Sequence, residues 1–150
     1  KLVYLRMDLQ TLADTLSFME IGREDKVFPF HPPTRGEVLI FKSPNDPSRD
    51  FVKRVIGLPG DTVEIKRGTV FINSEELDEP YLVNRDNRSM APVRVEEESY
   101  FVLGDNRGSS NDSRYWSPVQ TVPTKNIIGR AWVRYWPLGQ VRVLQAFGIH

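Results

Sequence analysis

Residues 101–116 read Phe101-Val-Leu-Gly-Asp-Asn-Arg-Gly-Ser-Ser-Asn-Asp-Ser-Arg-Tyr-Trp116. The stretch begins as an apolar strand, continues as a loop with three serines, two aspartates and two arginines, and ends on two aromatic residues. Polar side chains held between an apolar strand and an aromatic pair cost free energy unless they satisfy one another. The stretch therefore predicts a polar cluster packed against a core, and we expect this loop to support a chemically active lysine upstream of it.

The composition is that of an ordinary globular domain. The chain has 150 residues, of which 39% are hydrophobic and 27% charged, so one domain with a substantial core is expected. Lys plus Arg and Asp plus Glu both number 20, and this balance predicts no nucleic-acid partner. The absence of cysteine excludes a disulfide scaffold and a cysteine nucleophile. No apolar run approaches the roughly 18 residues that a membrane-spanning helix needs.

Short apolar segments separated by Gly, Pro, Asn and Asp predict a mainly β, barrel-like domain of antiparallel strands with one short helix. Residues 1–150 are expected to form a single domain, with a small excursion of strands and loops at about residues 66–98. Asp8 and Gly22 are suitable ends for the helix. The predicted strands are Leu2–Leu5, Glu37–Phe41, Phe51–Ile56, Asp61–Lys66, Thr69–Ile72, Tyr100–Leu103, Ile127–Tyr135 and Val141–Leu144.

The strand at Phe51–Ile56 carries the candidate lysine. Because strand side chains alternate between faces, Lys53 lies between Phe51 and Val55, and Arg54 lies on the other face. A partly desolvated lysine has a lowered pKa, and its neutral amine can act as a general base. The alternation by itself favours the more common explanation, an ion-paired or snorkelling lysine on an edge strand.

Histidine and metal chemistry have little support in the sequence. The two histidines are His31, in a proline-rich segment, and His150, the last residue, so a Ser-His-Asp triad has no well-placed base. The acidic loop 105–112 has Arg107 where a calcium loop needs its third-position ligand. We therefore expect no metal and no cofactor.

Three segments resemble, in order and spacing, successive boxes of the bacterial type I signal peptidase family. They are Arg35-Gly-Glu-Val-Leu-Ile-Phe41, Val52-Lys-Arg-Val-Ile-Gly-Leu-Pro-Gly-Asp61 and Gly104-Asp-Asn-Arg-Gly-Ser-Ser-Asn-Asp-Ser-Arg-Tyr-Trp116. Two further segments, Ile128-Gly-Arg-Ala131 and Tyr135-Trp-Pro137, resemble the closing strand of that family. The resemblance implies a serine endopeptidase that uses a Ser/Lys dyad and cleaves signal peptides from exported proteins after small residues, usually Ala-X-Ala.

The resemblance assigns catalytic roles to four residues. Lys53 would be the general base that takes the proton from a serine nucleophile. Ser110 would hydrogen-bond the lysine amine and orient it. Asp112 and Arg114 would form an ion pair that fixes the loop.

It assigns structural and substrate-binding roles to four more. Gly104 and Asp105 would shape the turn that brings the loop against the lysine strand. Phe51 and Val52 would help line a shallow substrate cleft.

The family's nucleophile segment, Ser-Met-x-Pro-Thr-Leu, has no match before the strand at Leu2–Leu5. We therefore expect the nucleophilic serine and the membrane anchor to lie upstream of Lys1, and the chain to be inactive without them. Ser89-Met-Ala-Pro92 copies part of the segment, but it follows the lysine and continues with Val93-Arg94. Ser17, on the predicted helix, is a weaker candidate.

The chain departs from the family pattern at two turns. Ser117 follows Trp116 where the family commonly has glycine, which would be strained if that position has a positive φ. Asn73-Ser74 similarly replaces the usual Asn-Gly turn.

The resemblance also predicts location and partners. The catalytic domain would act on the extracytoplasmic face of the bacterial cytoplasmic membrane, with signal peptides of exported preproteins as substrates. Two other interpretations stay open at this point. One is a non-catalytic descendant that binds an extended peptide at a strand edge. The other is a self-cleaving repressor-type Ser/Lys peptidase, which the long loop and the lack of a DNA-binding segment disfavour.

Overall fold

The structure is a computed structural model that describes residues 31–134, with the backbone alone of Leu2–Tyr4 and Arg142–Val143. Side chains are described for residues 31–131. The predicted helix from Asp8 to Gly22 and the segment Tyr135–Pro137 lie outside the described residues. Within them, the predicted mainly β, antiparallel architecture is confirmed, and the helical elements are two short 3-10 turns, Arg107–Ser109 and Thr124–Asn126.

The larger sheet holds seven antiparallel strands. They are β1 (Leu2–Tyr4), β2 (Val38–Lys42), β3 (Asp50–Gly57), β8 (Ser99–Leu103), β9 (Val122–Pro123), β10 (Ile127–Arg134) and β11 (Arg142–Val143). Their order is β1-β10-β2-β3-β8-β9, with β11 also paired to β10. Among the described strands this path is open, so the sheet forms no closed barrel there.

The smaller sheet spans Thr62–Arg94 and overlaps the segment of about residues 66–98. It has four antiparallel strands in the order β6-β5-β4-β7. They are β4 (Thr62–Lys66), β5 (Thr69–Ile72), β6 (Glu75–Glu76) and β7 (Met90–Arg94). Strands β4 and β5 match the predicted strands Asp61–Lys66 and Thr69–Ile72 and pair as a hairpin across Arg67-Gly68, whose two residues have φ of 48° and 83°. Strand β7 was not predicted, because the sequence from Glu75 to Arg94 is polar and irregular. Its Pro92 is tolerated because β7 is an edge strand.

Two cores lie on opposite faces of β3 and β8. All five residues of β8 are buried, and by alternation Phe101 and Leu103 enter one core while Tyr100 and Val102 enter the other. The first core is shared with the smaller sheet and the second with β2. Strand β3 is thereby held between two packed layers, and this rigid setting positions the lysine that it carries.

The two turn departures have different outcomes. Ser117 is absent from the residues with positive φ, so the strain considered for that position does not arise. Asn73 and Ser74, in contrast, have φ of 52° and 75°, which places both residues in the left-handed region. A serine at φ 75° is strained relative to the glycine that such a turn prefers.

Candidate active site

Lys53 lies in the middle of β3, opposite Leu39 of β2. Its side chain is half-buried, and its Nζ is 5.6 Å from the centroid of the Phe51 ring. Burial lowers the pKa of Lys53 below its ordinary value. The carboxylate of Asp112 opposes this shift and the guanidinium of Arg114 adds to it. The surroundings of Lys53 therefore shift its amine towards the neutral form.

The register of β8 brings the polar loop to Lys53. Leu103 pairs with Arg54, so Gly104 leaves the strand beside Lys53. A Cβ placed on Gly104 would lie 2.0 Å from the Oγ of Ser110 and 3.5 Å from the Nζ of Lys53. The hydroxyl and the amine therefore approach the same point, and only a residue without a side chain fits between them.

Ser110 has its hydroxyl available beside this amine. Its Oγ is buried and has no hydrogen-bond partner among the described residues. The bond to Lys53 that the family resemblance predicts is thus not formed in this structure, although the two groups are neighbours. A buried hydroxyl without a partner is costly, which gives Ser110 a reason to bond the amine or a water.

Asp112 and Arg114 form the predicted ion pair. Arg114 donates from Nε to Asp112 Oδ1 at 2.8 Å and from Nη2 to Asp112 Oδ2 at 2.9 Å. Both side chains are almost completely buried. The Oδ2 of Asp112 also accepts the backbone N–H of Gly104 at 3.0 Å. The pair therefore connects the start of the loop to its end.

Asp105 fixes the loop to the lysine strand through a partner that sequence analysis did not assign. Arg54 donates from Nε at 2.8 Å and from Nη2 at 2.6 Å to the two carboxylate oxygens of Asp105. Arg54 is 4% exposed, and such a buried guanidinium requires a carboxylate. The alternation of side chains along β3 gave a sign of this burial, because it placed Arg54 between two apolar side chains.

The two residues expected to line a substrate cleft lie on opposite faces of β3. The ring of Phe51 stacks on Trp116 with centroids 6.0 Å apart, and it meets Phe41 edge-on. Val52 is 42% exposed on the other face. The indole of Trp116 donates to Asn111 at 3.1 Å. Phe51 therefore anchors the end of the loop, and Val52 is the more accessible of the two.

Ser89 and His31, the other side chains considered for catalysis, make contacts away from Lys53. The Oγ of Ser89 accepts the backbone N–H of Arg67 at 3.0 Å, which ties it to the hairpin of the smaller sheet. His31 contacts Arg130 through its ring and its carbonyl. Ser17 lies outside the described residues.

A buried ion pair between Glu79 and Arg107 was not predicted from the sequence. Their side chains are 3% and 2% exposed. Glu79 lies in a polar segment of the kind expected at the surface, and nothing in the local sequence pattern indicates that its side chain is buried. In the part of the chain whose side chains are described, no three His, Cys, Asp or Glu residues are grouped as metal ligands would be. No helix among the described residues is long and apolar enough to cross a membrane.

Comparisons with known proteins agree on one family. The family model "Signal peptidase, peptidase S26" matches residues 6–136. The chain is 42% identical over 118 residues to a probable signal peptidase I-2 from Synechocystis sp., covering 75% of this chain and 52% of that protein. It is 43% identical over 119 residues to a signal peptidase I from Leptolyngbya laminosa, covering 75% of this chain and 57% of that protein.

A plant relative and a solved structure extend the comparison. The chain is 36% identical over 148 residues to the chloroplastic thylakoidal processing peptidase 1 of Arabidopsis thaliana, covering 88% of this chain and 43% of that protein. The crystal structure of a signal peptidase I from Enterococcus faecalis V583 superposes with a TM-score of 0.58 at 34% identity, covering 67% of this chain and 97% of that one. The chain spans about half the length of the curated relatives it matches.

Proposed function

The chain belongs to the signal peptidase family, peptidase S26, and from this premise we propose that it is catalytic-domain sequence of a serine endopeptidase that removes signal peptides from exported proteins. The observation that carries the proposal is the half-buried Lys53, whose pKa is lowered by burial and whose amine adjoins the buried hydroxyl of Ser110. A lysine in this setting can act as a general base without a histidine.

In the proposed reaction, the neutral amine of Lys53 takes the proton from the hydroxyl of the nucleophilic serine. The serine oxygen bonds to the carbonyl carbon of the scissile peptide, and the lysine proton passes to the departing amine as the C–N bond breaks. Water then attacks the acyl carbonyl carbon while Lys53 takes one of its protons, and that proton passes to the serine oxygen as the acyl C–O bond breaks, which restores both residues. Ser110 orients the amine, and the Asp112–Arg114 pair holds the loop that carries Ser110.

We propose that neither Ser110 nor Ser89 is the nucleophile. Ser110 is a poor candidate because its Oγ is buried, whereas a nucleophile must reach a bound peptide. Ser89 is a poor candidate because its hydroxyl is engaged at the hairpin of the smaller sheet. The proposed nucleophile is the serine of a Ser-Met-x-Pro-Thr-Leu segment.

The proposed substrates are exported preproteins with small residues before the cleavage site. Val52 precedes Lys53 in β3 and is exposed on the opposite face, where it is suited to contact an extended peptide. Phe51 stacks on Trp116 on the face that carries Lys53. The protein would be held at the cytoplasmic membrane with this domain on the outer face. The thylakoidal name of one relative is consistent with work at a membrane.

Substitution of Lys53 tests the proposal in the full-length protein that contains this chain. Lys53→Ala should lower kcat/KM for an Ala-X-Ala peptide by at least about 10²-fold, because the general base is removed. Lys66→Ala is the matched control, since Lys66 is 59% exposed and pairs with Glu64 on the smaller sheet. Retained activity in Lys53→Ala would remove the base assignment. Peptide binding without any hydrolysis in the unsubstituted protein would instead favour the non-catalytic alternative.

A further inference from the structure

Residues 79–86, which lie within the connection from β6 to β7, run alongside the start of the polar loop. The N–H of Val83 donates to the carbonyl of Asp105 at 3.0 Å. The N–H of Arg107 donates to the carbonyl of Asn84 at 2.9 Å. Segment 79–86 therefore adds a strand-like contact to a loop that leaves the larger sheet.

The same segment supplies carboxylates to both arginines of the loop. Glu79 accepts from Nη1 of Arg107 at 3.1 Å and also from its Nη2. Asp86 accepts from Nη1 of Arg114 at 2.6 Å. The Glu79 pair is the deeper of the two, because the side chain of Asp86 is 19% exposed.

Arg107 connects Glu79 to the candidate active site through further hydrogen bonds. Its Nε donates to the carbonyl of Gly104 at 3.1 Å, and its own carbonyl accepts from Nη2 of Arg114 at 2.8 Å. The space that a side chain on Gly104 would fill is occupied by the Ser110 hydroxyl and bordered by the Lys53 amine. A path of polar contacts thus runs from Glu79 through Arg107 to Gly104, and steric contact continues from Gly104 to Ser110 beside the proposed base.

Glu79 also has a second support on its own side. The hydroxyl of Tyr81 donates to Glu79 at 3.0 Å, and the Tyr81 ring lies 4.2 Å from the guanidinium carbon of Arg54. Buried ion pairs add little net stability compared with apolar side chains of the same volume. We therefore expect the Glu79–Arg107 pair to act mainly by fixing the position of the polar loop.

We propose that Glu79 is a positioning residue, which through Arg107 holds Gly104 and Ser110 against Lys53. The smaller sheet thereby contributes to the active site without touching substrate. This inference rests on the proposed function for its catalytic consequence, but its structural part is measurable without catalysis.

The test measures the pKa of the Lys53 amine by NMR titration of the full-length protein with isotope-labelled lysine. The Lys53 signal is assigned as the one that is absent from the spectrum of Lys53→Arg. In Glu79→Gln, a loosened loop lets water reach Lys53, and the pKa should rise towards its ordinary value. A purely electrostatic effect has the opposite sign. Leaving Arg107 without its counter-charge would add positive potential and lower the pKa. The sign of the change therefore separates positioning from charge.

Hydrogen exchange gives a second readout of the same path. The amides of Gly104 and Arg107, which bond to Asp112 and Asn84, should exchange at least about tenfold faster in Glu79→Gln. Glu76→Gln is the surface control, because Glu76 is exposed on β6. Val70→Ala is the stability control, because it destabilises the core of the smaller sheet without touching the path.

Glu79→Asp keeps the experiment decisive if Glu79→Gln does not fold. Glu79→Asp preserves the charge and shortens the side chain by one methylene. The pKa of Lys53 should therefore rise in this variant too, but by less than in Glu79→Gln. A Lys53 pKa that is unchanged or lowered in both variants, or raised equally in Val70→Ala, would overturn the proposal. If the pKa rises as expected but the unsubstituted protein cleaves no peptide, the positioning contact stands and the proposed function fails.

Discussion

Replacing Gly104 with alanine tests whether steric contact at this residue sets the position of Ser110 beside Lys53. The added methyl carbon would lie 2.0 Å from Oγ and 2.6 Å from Cβ of Ser110. The φ of Gly104 lies outside the left-handed region, so alanine brings no backbone strain of its own. The effect of the substitution therefore reports on the side-chain contact.

The size of the effect follows from those distances. Carbon and oxygen atoms in contact prefer separations of about 3.5 Å or more, so Ser110 must move by more than about 1 Å. Overpacking of this kind costs about 1–3 kcal/mol of unfolding free energy. A misplacement of about 1 Å in a catalytic group can lower the rate about 10²-fold.

A double-mutant cycle isolates the contact. Gly104→Ala is made in the unsubstituted protein and in Ser110→Gly, which lacks both clashing atoms. Denaturant unfolding of the full-length protein should show a loss of about 1–3 kcal/mol in the first background and about 0.5 kcal/mol or less in the second. Gly108→Ala is the matched control, since its added carbon would approach only the flexible amide of Asn84, at 3.3 Å.

An equal loss of stability in both backgrounds would refute the reasoning, because the clash would then involve something other than Ser110. A full kcat/KM for an Ala-X-Ala peptide in Gly104→Ala would equally contradict a catalytic need for the observed Ser110 position.

Two further predictions concern pH and a turn. Because burial lowers the pKa of Lys53 below 10.5, the unfolded chain binds more protons than the folded one between the lowered pKa and 10.5. The contribution of Lys53 to unfolding free energy should therefore rise with pH in that window, and kcat/KM should rise with pH through the lowered pKa; a Lys53 amine that titrates near 10.5 by NMR would contradict both. Ser74→Gly should raise the unfolding free energy by about 1 kcal/mol, because Ser74 has φ 75°. Ser48→Gly, at an exposed position without positive φ, should give no gain; equal gains in thermal unfolding would count against the turn argument.

Much of the fold follows from local patterns. The alternation in β3 separates Lys53 from Arg54, and the apolar runs of β2 and β8 mark strands that the structure buries. Glycine and proline residues between these apolar runs locate the turns that connect the strands. Strand β7 was not predicted because its sequence is polar and irregular. Its Pro92 is acceptable only at a sheet edge, and edge position is a property of the assembled sheet.

The amino-acid order alone is sufficient to indicate the antiparallel strands, a partly desolvated lysine and a loop whose charges need partners. The identity of those partners depends on the tertiary structure. Arg54 meets Asp105 across 51 positions, and Arg107 meets Glu79 across 28. Side-chain periodicity reports which face of a strand a residue occupies, but it carries no information on what packs against that face. The free energy of a buried charge depends on that opposing group, and so the support of Lys53 by the smaller sheet is decided only when the chain has folded.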